Sequence, residues 1–391
     1  MEKRVLLTFN PGSSTIKLGL FRIEEGAARR FGSGMVDLRK SPLVLHLSEG
    51  GNTTDVSLKA EGGEDLTGLL DEMLDWLARH FSLDGVAAAG HRVVHGGDRF
   101  TKAISIDDDS LAAIEELVPL APLHQPQSVR LIKALRHLRP DLPQTASFDT
   151  AFHATLADLV RRFALPREWH ERGVKRYGFH GLSYKFISGE IVGRFPALAE
   201  GRIVVAHLGS GASLCALEGG TSRDTSMGFS TLDGVPMATR CGALDPGVLL
   251  HLMGRERLGR DEVEDMLYHR SGLLGVSGIS GDTRVLLERS EAEASEALDL
   301  FALRMAGEAA RLAATVGGLD ALVFTAGIGE HQPEVRAAIA RRLSWLGLDL
   351  DARANAENES VITTPRSRIT GLVIATDEEQ VIADEAILLV G

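Results

Sequence analysis

Residues 5–21, VLLTFNPGSSTIKLGLF, and residues 203–217, IVVAHLGSGASLCAL, carry the same device about two hundred positions apart. In each, an aliphatic and β-branched run enters a Gly/Ser turn and a second apolar run leaves it, which is the pattern of strand, turn and strand. The first stretch reads as a hairpin over residues 4–23. The second reads as strands at 203–208 and 214–217 around a turn at 209–213. Laid on each other, Gly12, Ser13 and Ser14 match Gly211, Ala212 and Ser213. A repeat at this distance suggests two related halves rather than a short-period array. Taken as a bare pattern, two such turns in a chain with 42 glycines also agree by chance.

Outward from these hairpins, strand and helix patterns alternate. Leu66, Leu69, Leu70, Met73, Leu74, Leu77 and Phe81 fall at helical spacing, and a short strand at 86–89 follows. Helices are expected at 110–118, stopped by Pro119, and at 127–138, stopped by Pro140. In the second half, helices are expected at 246–253, 261–268, 291–315 and 333–345. Strands are expected at 321–325, running into a glycine loop at 327–330, and at 372–375. Thr376 with Glu379 three residues on reads as a capping box opening the last helix. The alternation predicts an α/β architecture. The expected division is residues 1–150, completed by the last helix at about 377–391, and residues 151–376.

Composition bounds the function. The 391 residues suffice for two or three domains, each with its own core. Against 54 Asp and Glu stand 42 Lys and Arg, a net charge of -12, so no basic footprint for nucleic acid is present in the total. Cys215 and Cys241 make neither a CxxC site nor a disulfide framework and read as reduced thiols. No signal-peptide core and no apolar run long enough for a membrane span is present, so a cytoplasmic protein with no membrane partner is expected.

Five Gly- or Ser-rich segments stand at strand ends, at 10–14, 95–97, 178–183, 209–213 and 327–330. Unhindered backbone N–H groups at such turns form anion cradles, although each alone is as well explained as a tight turn. Neither GxxxxGK[ST] nor a full GxGxxG is present, which disfavours P-loop and Rossmann readings. His91, His95, His124, His153, His180 and His207 lie at or beside strand ends without zinc spacing. Arg92 and Arg240 occupy similar strand-to-loop settings. Asp149 holds magnesium or orients an arginine on one reading, and caps a helix on the other.

Nine segments in order, NPGSSTIK (10–17), GHRVVHGGD (90–98), LAPLHQP (120–126), FDTAFHATL (148–156), YGFHGLSY (177–184), HLGSGASLCA (207–216), DTSMGFSTLDGVPMATR (224–240), FTAGIGEH (324–331) and TDEE (376–379), closely resemble the signatures of the acetate kinases. The resemblance runs over essentially the whole chain. It implies the duplicated fold of the acetate and sugar kinase, heat-shock chaperone and actin superfamily, two ribonuclease-H-like domains about an ATP cleft. It also implies roles. Arg92, Arg240, His180 and Asp149 match the catalytic cluster, and Asn10 and Glu378 match positions that support magnesium, with manganese as an alternative. Lys17, His207, Gly209, Ser210, Gly211, Asp282, Arg284, Gly327, Ile328, Gly329 and Glu330 match ATP contacts. Val94, Leu123 and Phe179 match the apolar pocket for the acyl methyl, and Thr231 belongs to the same substrate wall. A homodimer is implied as well.

The chemistry explains the residue types. A small carboxylic acid with a pKa near ~4 is ionised at neutral pH, so the nucleophile needs no general base. The difficulty is repulsion from the γ-phosphate, roughly 4 kcal/mol for one unit-charge pair at about 4 Å and an effective dielectric near 20. At about 1.4 kcal/mol per tenfold in rate, one uncompensated pair slows transfer around a thousandfold. Two arginines, a metal ion and an imidazole donor answer that repulsion. The sequence departs from the usual family residues at Ser210 (Asn), Thr231 (Pro), Ala238 (Gly), Gln125 (Asn), Cys241 (Ser) and Ala243 (an acidic residue). These changes are either neutral or weaken acetate preference, with propionate or another short-chain carboxylate used comparably. A further alternative is an ATP-driven switch protein of the same superfamily.

Overall fold

A computed structural model describes residues 4–12, 15–60, 66–81 and 86–390. The chain divides into two compact units, Met1–Ala154 with Asp377–Gly391, and Thr155–Thr376. In the first unit the strands are β1 (Val5–Pro11), β2 (Thr15–Glu24), β3 (Ala27–Asp37), β4 (Val44–Glu49), β5 (Asn52–Ser57), β6 (Val86–Val93), β7 (Ile104–Ser105) and β8 (Gln144–Phe148). Among the described residues they hydrogen-bond in the order β5-β4-β3-β2-β1-β6-β8-β7. In the second unit β9 (Arg202–Leu208), β10 (Ala212–Glu218), β11 (Thr221–Thr225), β12 (Ala321–Thr325) and β13 (Thr370–Val373) take the order β11-β10-β9-β12-β13.

The duplication lies in these orders. In both units the first strand opens an antiparallel meander, of five strands in the first unit and three in the second, and leads on its other side into two parallel neighbours: β1 pairs β2 antiparallel and β6 parallel, and β9 pairs β10 antiparallel and β12 parallel. β1 ends at Pro11, directly before Gly12, and β9 ends at Leu208, directly before Gly209. The structural match of Gly12 is therefore Gly209, two residues before the Gly211 that direct overlay of the sequences selects. Ser13 and Ser14 lie outside the described residues.

Packing follows the patterning. The helix Leu66–Phe81 buries Leu66, Leu69, Leu70, Met73, Leu74 and Leu77 against Leu7, Leu20 and Leu45 of the sheet. Each such side chain contributes about 2 kcal/mol of burial. The helix Glu378–Val390 belongs to the first unit, where the small Ala383 and Ala386 let it approach and, with Ile387, pack with Leu6, Phe21 and Ala88. A Cβ on Gly90 would lie 2.7 Å from Ile382 Cγ2, so a larger residue there would push the helix away.

Among the local expectations that change, three bear on the site or on the helices beside it. The helix expected from residue 127 begins at Gln125, with Pro126 in its first turn where a missing N–H does no harm. The glycine segment at 327–330 is not a loop but most of a short helix, Ala326–His331. The last helix is not opened by a Thr376–Glu379 box. Instead the Asp377 carboxylate accepts from Gln380 N at 2.9 Å, and Thr376 N donates to Glu330 Oε1 at 3.2 Å.

Candidate active site

In the first unit the ends of β1, β6 and β8 and the start of the last helix bring four predicted residues together. Arg92, on β6, forks onto Asp149 just beyond β8, with Nε to Oδ1 at 2.9 Å and Nη2 to Oδ2 at 2.6 Å. Its Nη1 donates to Asn10 Oδ1 at 3.0 Å. Asn10 passes the connection on, its Nδ2 donating to Glu378 Oε2 at 2.8 Å and Glu379 Oε1 at 2.7 Å. Asp149 and Asn10 are buried, and Asp149 acts on an arginine rather than as a helix cap. Burial alone would lower the Arg92 pKa. The charges of Asp149, Glu378 and Glu379 outweigh it and raise the value, so the guanidinium stays charged. A planar fork fixed this way leaves Nη2 a second N–H for another carboxylate.

The neighbouring segment at 95–97 is not an anion cradle. Its three N–H groups are already used: His95 N donates to Gln125 Oε1 at 3.0 Å, Gly96 N to Thr150 Oγ1 at 2.9 Å and Gly97 N to His95 Nδ1 at 2.9 Å. Gln125 Nε2 returns a bond to His95 O at 3.0 Å, so this buried amide clamps the chain directly after Val94. Val94 is buried, whereas Leu123 is 39% exposed in the turn before Gln125. Lys17 points to solvent and lines, with Arg30, His46, Asp55, Asp377 and Glu379, a cavity of about 400 Å³ over the sheet.

In the second unit the turn at 209–211 is the focus. A Cβ placed on Gly211 would lie 3.4 Å from His180 Nε2 and 3.9 Å from Arg240 Nη1, and one on Gly209 would lie 3.9 Å from His207 Nε2. The glycines are thus where backbone must pass close to two imidazoles and a guanidinium. His180 has φ 57°, a left-handed conformation uncommon for a non-glycine residue, and directly precedes the helix Gly181–Arg194. Its ring stacks on His207 with centroids 4.2 Å apart. Arg240 Nη1 donates to the Thr231 carbonyl at 3.3 Å and lies 3.7 Å from Met237 Sδ. Gly272, at φ 60°, closes against this segment, since a Cβ there would meet Met237 O at 2.1 Å and Arg240 O at 2.7 Å. Phe179 and Thr231 are both buried in this unit.

Beside the turn lies a cavity of about 510 Å³ lined by Gly209, Ser210, Ala238, Asp282, Arg284 and Ile328, among others. Asp282 caps the helix Thr283–Leu287 and pairs with Arg284, Oδ2 to Nη2 at 2.6 Å. Two departures from the family pattern, Ser210 and Ala238, therefore line this cavity, and Ala238 N donates to Ser210 O at 3.2 Å. The short helix carrying Gly327, Ile328, Gly329 and Glu330 is held from behind by a residue the sequence did not single out. Arg336 is wholly buried and donates to the carbonyls of Gly329 (2.9 Å), Glu330 (3.0 Å) and Asn355 (2.6 Å), and to the Asn355 and Asn358 side chains. Burial draws its pKa down to about 10, with Glu334 opposing. Cys215 and Cys241 are both free, and burial pushes both thiols up, away from reactivity.

Two sheets that share a five-strand order, β3-β2-β1-β6-β8 in one and β11-β10-β9-β12-β13 in the other, with glycine turns and charged groups at the strand ends, define the actin-like ATPase fold, a class that includes phosphotransferases. The sequence profile of the acetokinase family matches residues 5–384. The chain belongs to the acetokinase family. It is 45% identical over 389 residues to an acetate kinase of Rhodopseudomonas palustris, covering 97% of this chain and 96% of that one. It is 42% identical over 395 residues to an acetate kinase of Methylocella silvestris, covering 99% and 98%. Among solved structures it resembles a propionate kinase from Francisella tularensis, with TM-score 0.90, 34% identity and 98% of each chain covered. It also resembles Porphyromonas gingivalis acetate kinase, with TM-score 0.88, 32% identity and 99% and 100% covered.

Proposed function

We propose that the chain phosphorylates acetate reversibly with ATP, forming acetyl phosphate and ADP by direct in-line transfer of the γ-phosphoryl group. The observation that carries this reading is Arg92, charged, fixed from behind by Asp149 and Asn10, and holding a further N–H for a small carboxylate. Arg92 holds the acetate and Asp149 holds Arg92. Val94 and Leu123 in the first unit, and Phe179 and Thr231 in the second, are the residues assigned to the methyl group. Arg240 and His180 stabilise the equatorial oxygens as charge builds on them. The cavity beside Asp282 and Arg284 takes the nucleoside, with His207, Gly209, Ser210, Gly211 and residues 327–330 at its phosphates and Lys17 as a further ATP contact. The carboxylate is already the nucleophile, so neither a general base nor a phospho-enzyme is required.

The residues of the first unit suit magnesium. Among the described residues no group of three or more His, Cys, Asp or Glu side chains converges as a metal cage. Magnesium does not need one, taking one or two carboxylates together with phosphate oxygens and water. Three carboxylates, of Asp149, Glu378 and Glu379, act on one guanidinium, leaving negative charge for a divalent cation. Glu378 and Asn10 would hold the ion, which supplies charge neutralisation at the phosphates. Manganese, also an oxygen-seeking ion, is an alternative.

Propionate is the competing acceptor, supported by the resemblance to a propionate kinase and by Thr231 and Gln125 near the acyl-side residues. Measuring kcat/KM for acetate, propionate and butyrate side by side decides it. The reading expects acetate to lead, and propionate at or above acetate overturns that choice of substrate. A homodimer is supported by the helix Pro246–Gly254, none of whose residues is buried although Leu250 is 75% and Met253 48% exposed. Leu250→Glu is expected to shift sedimentation from dimer to monomer. The reading places the enzyme in the cytoplasm. Among the described residues no helix is long and apolar enough to cross a membrane.

A further inference from the structure

The proton on the His180 imidazole has two possible seats, and the groups behind the ring select one of them. His180 Nδ1 lies 2.7 Å from Ser213 Oγ, and the same hydroxyl lies 2.5 Å from the Tyr184 hydroxyl. Ser213 and Tyr184 are both fully buried. Tyr184 comes from the first turn of the helix that His180 precedes, and Ser213 from β10, so three residues of two elements meet at one hydroxyl. The chain phenol, alcohol, imidazole has a preferred polarity. A phenol is a stronger donor than an aliphatic alcohol, and an unprotonated imidazole nitrogen is the best acceptor of the three. Cooperative bonding therefore runs from Tyr184 to Ser213 to His180 Nδ1. Burial raises the Tyr184 pKa well above its usual value, which keeps the phenol protonated as the head of the chain.

We propose that Tyr184 and Ser213 are positioning residues that hold His180 as the Nε2–H tautomer, with its proton aimed at the glycine turn where the transferring oxygens are expected. This rests on the reading of His180 as a donor to those oxygens. A neutral imidazole suffices for that role, provided the proton is on the nitrogen near Gly211, and Nε2 is that nitrogen. The neighbouring ring repeats the arrangement. Ser183 Oγ lies 2.8 Å from His207 Nδ1 and accepts from Thr376 Oγ1 at 2.9 Å, so a second hydroxyl pair backs the stacked His207. Across the β9–β10 ladder Ser213 is the partner of His207, which interleaves the two relays.

The test is long-range proton–nitrogen correlation on the full-length protein labelled with 15N-histidine, with the His180 signals assigned by their loss in His180→Gln. The expected wild-type spectrum shows a pyridine-type Nδ1 and a pyrrole-type Nε2. Tyr184→Phe and Ser213→Ala are expected to give tautomer mixtures, with kcat about tenfold and about a hundredfold lower and KM for acetate within about twofold. Ser213→Thr should restore both readouts. A wild-type His180 protonated on Nδ1, or a His180 spectrum unchanged in both variants, overturns the relay whatever the rates. A tautomer that shifts as expected while kcat stays at the wild-type value leaves the relay standing and overturns the donor role of His180.

Discussion

In the first unit Arg92 lies among the carboxylates of Asp149, Glu378 and Glu379, whereas in the second Arg240 leans on the Thr231 carbonyl and the Met237 sulfur near two stacked imidazoles. Both arginines are assigned to the same reaction, yet their surroundings prepare them differently. Arg92 is part of a buried ion-pair network, so removing it strips charge from the reaction and takes the forked guanidinium from a buried carboxylate as well. Arg240 donates to a backbone carbonyl and lies against a thioether, with Gly272 allowing its segment to close. The difference separates what an arginine does for catalysis from what it does for folding.

Arg92→Ala is the largest break. It is expected to lower kcat by about a thousandfold and to cost about 3–5 kcal/mol of stability, because Asp149, 1% exposed, loses the guanidinium that balances its buried charge. Acyl-hydroxamate rates and urea unfolding read the two effects. Arg240→Ala is expected to match the first effect without the second, with kcat again about a thousandfold down and stability changed by about 1 kcal/mol or less. Equal stability losses in the two variants would remove the contrast.

Acid should act on the first unit. Burial pushes His91 and His95 down to about 4, opposed in His91 by the hydrogen bond its Nε2 donates to Gln144 Oε1 and in His95 by the charge of Asp98. The unfolded chain, with histidines near ~6.5, then binds more protons than the folded one between about pH 6.5 and 4. Stability is full above that window and is lost as pH falls through it, by up to about 3 kcal/mol for each buried histidine. Hydrogen exchange is expected to quicken in β6 and β8 before β9 and β12. His91→Gln should flatten the profile, and an unchanged profile counts against the buried neutral imidazole.

Residues assigned to the reactants are the ones the sequence made legible. Arg92, Asp149, His180, Arg240 and the glycine turn stand in short contiguous motifs, and the doubled hairpin announced a doubled sheet order that the structure contains. What supports those residues was hidden. Arg336 looks like any surface arginine on an amphipathic helix, and its partners are backbone carbonyls and Asn355 and Asn358, distant in sequence and silent in pattern. Gln125 reads as a helix-start residue until its amide is seen clamping His95. Ser213 sits in a quoted motif, but its bond to His180 depends on a strand meeting a helix. The segment at 95–97 failed in the other direction, because turn composition does not reveal that the N–H groups are already bonded. Hydrogen-bond satisfaction is a tertiary property, and one sequence carries little trace of it.

The central claim is that this site passes phosphoryl from ATP to a small carboxylate rather than to water. The most direct measurement is the stoichiometry of ADP and hydroxylamine-trapped acyl phosphate when the protein is given ATP, magnesium and acetate. The account predicts about one acetyl hydroxamate per ADP, with ADP formation falling away when acetate is omitted. ADP released at the same rate without acetate, and without acyl phosphate, would contradict it and point to an ATP-driven switch.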